Sequence, residues 1–235
     1  MPGGFLSKIG RVGLSKSSIW GMHGGMGTHA KTTTEPYIPV LSFSEGIGEK
    51  FLESIGIGGA DEGAFSHDVL QSRVELFRLY DNNPEGIQPV LRRAHAILML
   101  VRFLDRASMD QVREAYRIVH AEPFLPKSML ILREPGETEF KISCAYCGQK
   151  LWVRDHDAGK RGNCPQCRKT FFLPTQKSYL ASYLMLTESV PVYEAVMGEA
   201  SCRKAMDSLL GRILDHEQAL KSNTTRVTIP PENGV

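Results

Sequence analysis

The sequence predicts a mainly α-helical protein in which helical bundle segments flank one small β-hairpin module, with a glycine-rich extended arm in front. Three observations lead there. Apolar residues recur at helical spacing over 69–80, 87–104, 112–119 and 206–220. A segment near residue 150 alternates at strand spacing between two cysteine pairs. Residues 1–63 are glycine-rich and show no apolar period.

The arm contains Trp20-Gly21-Met22-His23-Gly24-Gly25-Met26-Gly27, and glycine opens backbone freedom without a side chain to pack. Lys8, Arg11, Lys16 and Lys31 precede or surround it, and the first acid is Glu35. Such an arm suits a targeting segment, a nucleic-acid arm or a strap that gains order on a partner. The stretch Gly25-Met26-Gly27-Thr28-His29-Ala30-Lys31-Thr32 faintly echoes a phosphate-binding loop. Ala30 replaces the glycine before the lysine, and no buried strand precedes it, so nucleotide binding is not expected there. Gly46-Ile47-Gly48 and Gly56-Ile57-Gly58-Gly59 lack a readable strand-helix-strand unit for the same purpose.

A helical domain is expected over 64–135. Val69, Leu70, Arg73, Val74, Leu76, Phe77 and Tyr80 keep a helical period that Asn82-Asn83-Pro84-Glu85-Gly86 breaks. Ile87, Val90, Leu91, Ala94, Ile97, Leu98, Val101 and Leu104 then repeat, and Met99, Leu100 and Phe103 make the second half apolar nearly all round. That pattern predicts a central, buried helix. Ser108-Met109-Asp110-Gln111 reads as a capping box for a third helix whose inward face is Val112, Ala115, Tyr116 and Val119, ended by Pro123 and Pro126. After the cysteine module at 136–176, helices are expected over 177–221. Tyr179, Leu180, Tyr183, Leu184 and Leu186 form a short one, and Pro191 suits the first turn of the next. Met206, Leu209, Leu210, Ile213, Leu214 and Leu220 form the last. The tail 222–235, with Pro230-Pro231, reads as extended.

Four of the five cysteines fall in two tight pairs, Cys144-Ala145-Tyr146-Cys147 and Cys164-Pro165-Gln166-Cys167, sixteen residues apart. Paired cysteines of this kind argue for metal in a reducing compartment, not for a disulfide framework. The expected localisation is therefore intracellular: cytoplasm, or mitochondrial matrix in a eukaryote. A Cys-x-x-Cys turn aims two sulfurs at one ion, and two such turns fill the tetrahedral shell that zinc prefers. With no position left open, one structural Zn2+ is expected, ligated by Cys144, Cys147, Cys164 and Cys167. Iron in a rubredoxin-type site is the rival metal. Lys150-Leu151-Trp152-Val153-Arg154 reads as one strand, Gly159-Lys160-Arg161-Gly162 as a turn and Thr170-Phe171-Phe172-Leu173 as the return.

The run from Cys144 to Pro174, with Ala158-Gly159-Lys160-Arg161-Gly162 before Cys164-Pro165, resembles the four-cysteine zinc ribbons common as short modules in bacterial proteins. The resemblance covers about thirty residues and implies a metal-stapled β-hairpin module (residues 140–174) without implying an activity. Those ribbons carry glycine after both cysteine turns, whereas this chain has Gly148 after the first and Arg168 after the second. A fainter resemblance is to the zinc-binding subunit of mitochondrial cytochrome oxidase, which pairs a cysteine turn with a downstream Cys-Pro-x-Cys. It implies an accessory zinc subunit of a respiratory complex, but the preceding helical pattern differs.

Charge is uneven. Residues 141–177 hold eight Lys/Arg and two acids, while 45–140 hold eleven basic and sixteen acidic groups. Lys150, Arg154, Lys160, Arg161, Arg168 and Lys169, with Trp152, Phe171 and Phe172, could grip phosphates and stack bases. The bland alternative puts Trp152 and Phe171 in the module's small core and leaves the charges solvated. Cys202 stands beside Arg203 and Lys204 with no His or acid at nucleophile spacing, which suits a packed helical cysteine better than a nucleophile. The seven histidines form no constellation, and His156 suits an exposed hairpin position. No acid/base or nucleophile cluster points to an enzyme. No run reaches the roughly 18–20 apolar residues of a membrane span. No secretory signal is expected either, since the N-terminus lacks an apolar segment with a cleavage site. The leading expectation is a non-enzymatic zinc-ribbon interaction subunit of a larger protein assembly. A nucleic-acid-binding protein that uses the basic ribbon is the alternative. No small-molecule substrate is evident.

Overall fold

The computed structural model describes residues 35–67, 70–79, 84–103, 106–187 and 189–224. The arm up to residue 34, with the 25–32 segment, and the tail beyond 224 lie outside the described residues. So do Asn82 and Asn83 of the expected break at 82–86.

The chain forms a six-stranded mixed sheet with helices on both faces, at about 34% helix and 31% strand, which overturns the mainly α expectation. In chain order the sheet strands are β1 (Tyr37–Ser42), β2 (Glu62–His67), β3 (Leu70–Arg78), β4 (Ile97–Val101), β5 (Lys127–Arg133) and, after the cysteine module, β10 (Val192–Val196). Their spatial order is β10-β5-β4-β1-β3-β2. All neighbours are parallel except β2, which runs antiparallel to β3 at the edge. Setting β2 aside, the order reverses between β1 and β4, which makes this a doubly wound sheet.

The helices are α1 (Ile47–Ser54), the single turn α2 (Gln88–Leu91), α3 (Arg106–His120), α4 (Gln176–Leu184) and α5 (Ala200–Thr224). Phe51 and Leu52 of α1 and Met206, Leu209, Leu210 and Ile213 of α5 cover one face, against Val40, Val74, Leu98, Leu100, Leu130 and Leu132. Leu91, Val112, Ala115, Val119, Leu180 and Leu184 of α2, α3 and α4 cover the other, against Leu41, Ile97, Met99, Val101, Met129 and Ile131.

This two-sided burial explains each misread segment. In β4, Ile97, Met99 and Val101 face one helical layer while Leu98 and Leu100 face the other, so all five residues are buried. A strand covered on both faces reads as a continuous apolar run, and here the run joined Ile87, Val90 and Leu91 into a false helical period. Residues 70–78 are a strand as well. Ser72, Val74 and Leu76 are buried, while Gln71 and Arg73 are exposed between them, a period of two that the helical reading of 69–80 passed over. The supposed arm supplies the strand at the switch point, β1, together with α1. Pro39 hid it. Tyr37 turns both its backbone groups toward His95, accepting from His95 N at 2.8 Å and donating to His95 Nδ1 at 3.1 Å. Pro39 has the same parity and so faces the same side, where pairing with β4 begins only at Val40–Leu98. Its missing N–H therefore costs no ladder bond. Pro191 precedes a strand and not a helix.

Other expectations need smaller changes. α3 begins before Ser108, so Ser108 lies in its first turn instead of capping it. Lys127, 8% exposed, donates from Nζ to the carbonyls of Val119 (3.1 Å) and Glu122 (2.8 Å), closing the C-terminal end of α3 where cations are favoured. Thr175 caps the start of α4, its Oγ1 accepting from Ser178 N at 3.1 Å. Cys202 is fully buried, donates from Sγ toward the Val196 carbonyl, and burial pushes its thiol pKa up, so it is a packed cysteine of α5.

Candidate metal centre

Between β5 and α4 the chain leaves the carboxyl end of the sheet and makes two hairpins. The first pairs β6 (Glu139–Ser143) with β7 (Lys150–Arg154), and the second pairs β8 (Arg161–Asn163) with β9 (Thr170–Phe172). Each hairpin reverses through a cysteine pair, so residues 150–154 and 170–172 belong to two hairpins and not to one, and Arg161–Asn163, which includes part of the expected turn, is a strand. The two cysteine turns share one hydrogen-bond pattern. Gly148 N donates to Cys144 O at 2.9 Å and Cys144 N to Gln149 O at 2.8 Å; Arg168 N donates to Cys164 O at 2.9 Å and Cys164 N to Lys169 O at 3.0 Å. The reversal needs a left-handed residue after each pair. Gly148 (φ 73°) meets that need freely, and Arg168 (φ 58°) meets it with strain.

The result brings four thiols together. All four Sγ atoms lie within 4.8 Å of one another. Cys144 and Cys167 sulfurs are 3.9 Å apart, and those of Cys147 and Cys164 are 3.7 Å apart. A disulfide needs about 2.05 Å, so none joins them. Four sulfurs at about 2.3 Å from one tetrahedral ion stand about 3.8 Å apart. The donor set and its spacing therefore fit a single metal ion. Among the described residues no other cluster of three or more His, Cys, Asp or Glu does so.

The four thiols also shift one another's titration. Backbone N–H groups of Cys167 and Gln166 aimed at Cys164 hold its thiol down to about 7, despite burial. At Cys147 the Gln149 N–H favours the thiolate, but burial and the three neighbouring thiols together push it up to about 12. Four thiolates this close repel one another unless a positive ion sits among them.

Phe140, Ile142 and Val153 fill the module's small core, with Leu151, Phe171 and Leu173 partly buried around it. The core continues into the body through Phe103, whose ring centroid is 5.8 Å from those of both Phe140 and Tyr179. Tyr179 Oη accepts from Ser143 N at 3.3 Å, and Arg133 at the end of β5 pairs with Asp155 at 2.5 Å.

The remaining residues singled out from the sequence lie on the module's surface. Lys150, Arg154, Lys160, Arg161, Arg168 and Lys169 are all exposed. Trp152 is 60% exposed and takes no part in the core, against the bland alternative, which holds for Phe171 and for the exposed charges. The cross-strand register explains this: Phe140, Ile142, Leu151 and Val153 share the inward face, while Lys141, Ser143, Lys150 and Trp152 share the outward one. Each large exposed ring of the module carries a cation. Lys141 Nζ stands 4.5 Å from the Trp152 centroid, Arg161 is 5.2 Å from Phe172 and Lys169 Nζ is 4.6 Å from Tyr146. Lys141 and Tyr146 went unnoticed in the sequence, because only the register puts Lys141 opposite Trp152. His156 is exposed and 3.3 Å from Asp157, well apart from the sulfurs in role.

No helix among the described residues is long and apolar enough to cross a membrane. No family model matches this chain, and no curated protein matches it. Among solved structures, a mutation variant of SsGBP is similar at a TM-score of 0.44 with 7% sequence identity, over 77% of this chain and 57% of that one. This chain thus spans little more than half the length of that protein, and the likeness is too distant to bear on function.

Proposed function

We propose that the protein is a non-enzymatic binding protein whose cysteine module is a structural zinc ribbon, and that the ribbon's surface binds single-stranded nucleic acid. The observation that carries the reading is the set of three exposed rings, Trp152, Phe172 and Tyr146, each paired with a lysine or arginine. Base stacking on aromatic rings is tolerant of sequence, and neighbouring cations hold the phosphates. Zinc is the favoured metal because a closed tetrathiolate shell matches it, and the shell leaves no position for a substrate.

Fluorescence anisotropy with a labelled single-stranded oligonucleotide tests the binding. Affinity should fall as salt rises, with a log–log slope of roughly −2 for about three neutralised phosphates. Trp152→Ala combined with Phe172→Ala should weaken it by roughly tenfold or more. No binding at low salt would remove the reading. Elemental analysis of the purified protein should find one zinc per chain; a red sample with visible charge-transfer bands would replace zinc by iron.

A protein partner is the second reading, in which the same aromatic–cation pairs serve as anchors of an interaction subunit in a larger assembly. Native-source protein eluting in a high-mass complex free of nucleic acid favours it.

A further inference from the structure

The four clustered thiols are not equally sheltered. Cys147 is exposed and Cys167 half-buried, while Cys144 and Cys164 are buried. Each sheltered sulfur stands beside an accessible one from the opposite turn. Cys147 and Cys164 sulfurs are 3.7 Å apart, and those of Cys144 and Cys167 are 3.9 Å apart. Closing either pair to a disulfide needs an approach of about 2 Å or less. Little apolar cover keeps an oxidant away, since the module's fully buried core is Phe140, Ile142 and Val153. The fifth thiol differs on each count. Cys202 is fully buried in α5, far along the chain from the cluster, and its Sγ is engaged with the Val196 carbonyl.

The same centre shapes the module's surface. Tyr146 lies inside the first cysteine turn, and Lys169 closes the second, where its carbonyl accepts from Cys164 N. Lys169 Nζ is 4.6 Å from the Tyr146 centroid, so this ring–cation pair spans the two turns. Its geometry depends on how the four sulfurs hold those turns together.

We propose that the four-cysteine centre is a reversible redox switch, in which a peroxide joins Cys147 to Cys164 and Cys167 to Cys144, frees the metal ion and weakens binding at the module's surface. The proposal rests on the metal centre and regulates the surface read above as a nucleic-acid site. The Cys147 thiolate attacks one oxygen of hydrogen peroxide; an S–O bond forms, the O–O bond breaks and hydroxide leaves, giving a sulfenic acid. The Cys164 thiolate then attacks that sulfur; an S–S bond forms, the S–O bond breaks and a second hydroxide leaves. The two sulfurs together lose two electrons and the peroxide gains them. The same two steps at Cys167 and then Cys144 consume a second peroxide. The thiolate is the metal ligand, so the paired sulfurs lose their hold on the ion, which leaves with its charge unchanged. A dithiol returns the electrons by exchange and restores four thiols.

The test treats the full-length, reduced, metal-loaded chain with hydrogen peroxide at about two equivalents. Metal per chain, by elemental analysis after desalting, should fall from one to near zero. Free thiols counted after denaturation should fall from five to one, the survivor being Cys202. Peptide mapping should find disulfides joining Cys147 to Cys164 and Cys144 to Cys167. Dithiothreitol with added zinc should restore both metal and thiols. Affinity for the labelled oligonucleotide should drop roughly tenfold on oxidation and return on reduction. Cys202→Ser should release and regain metal as the parent does. Metal retained after peroxide, disulfides within one turn or between chains, sulfinic acid as the main product, or a loss that reduction does not reverse would overturn the switch. A reduced chain that binds no oligonucleotide removes the surface reading alone, because metal and thiol counts still decide the switch. A reduced chain purified without metal, and unable to take up zinc, removes the metal centre and the switch with it.

Discussion

At the scale of single residues, backbone conformation makes alike two positions that the sequence presents differently. Gly148 and Arg168 follow the two cysteine turns and both sit in the left-handed region, at φ 73° and 58°. An L side chain there is strained by roughly 1–2 kcal/mol. Replacing it with glycine also loosens the unfolded chain, which offsets part of the gain. Arg168→Gly should therefore stabilise the module by about 0.5–1 kcal/mol, read as a higher melting midpoint of the metal-loaded protein. Gly48 in α1 poses the opposite balance. A Cβ there would lie 2.3 Å from Leu76 Cδ1 and 3.1 Å from its Cγ, and Leu76 is itself buried. Alanine gains about 1 kcal/mol of helix propensity but overpacks the α1–β3 contact at about 1–3 kcal/mol. Overpacking wins, so Gly48→Ala should lower the urea midpoint. This glycine, weak as part of a phosphate-binding motif, has a packing role instead. Cys164→Ser leaves three thiols at the centre, and the bound metal per chain should fall from one to near zero by elemental analysis.

At the scale of elements, the module and the sheet differ in what holds them. The module's own core is Phe140, Ile142 and Val153 with a few half-buried neighbours, too little apolar surface to fold four short strands alone. Metal binding and folding should be a single event there. Removal of the ion by a strong chelator should abolish amide protection over 139–173, measured by hydrogen exchange, while β1, β4 and β5 keep theirs. Simultaneous loss across the sheet would show that the module props up the body. The elements also show why strands were harder to read than helices. α3 and α5 carry a polar face, and their inward residues, such as Val112, Ala115, Tyr116 and Val119, recur at the expected spacing. β4 and β5 have no polar face to alternate with, because helices cover them on both sides. A five-residue apolar run is the same in a strand and in a buried helical turn.

At the scale of the whole molecule, two cores share one sheet. Leu98 is fully buried between β1 and β5 and points to the α1/α5 layer, while its neighbours Ile97 and Met99 point to the α3/α4 layer. Leu98→Ala should cost about 3–4 kcal/mol, measured by urea unfolding, without changing metal content, since no ligand touches that layer. The module is inserted where the chain exits the carboxyl end of β5, the end of a doubly wound sheet at which ligands usually bind. That placement leaves a cleft between the module and α3/α4.

By itself the sequence determined the clustering of four cysteines, the strand character of 150–154 and 170–172 though not their pairing with β6 and β8, the concentration of positive charge in 141–177 and the helices after residue 105. Each of these is a local property: a cysteine turn closes over four residues, and a helical face repeats within one segment. Only the tertiary structure decided that the chain is an α/β sheet protein, that β1 lies at its centre, that Trp152 faces water and that Lys141 stands over its ring. Those outcomes depend on which strand pairs with which across tens of residues, and on which face a second layer covers. An apolar run shows that a segment will be buried; its partners settle how.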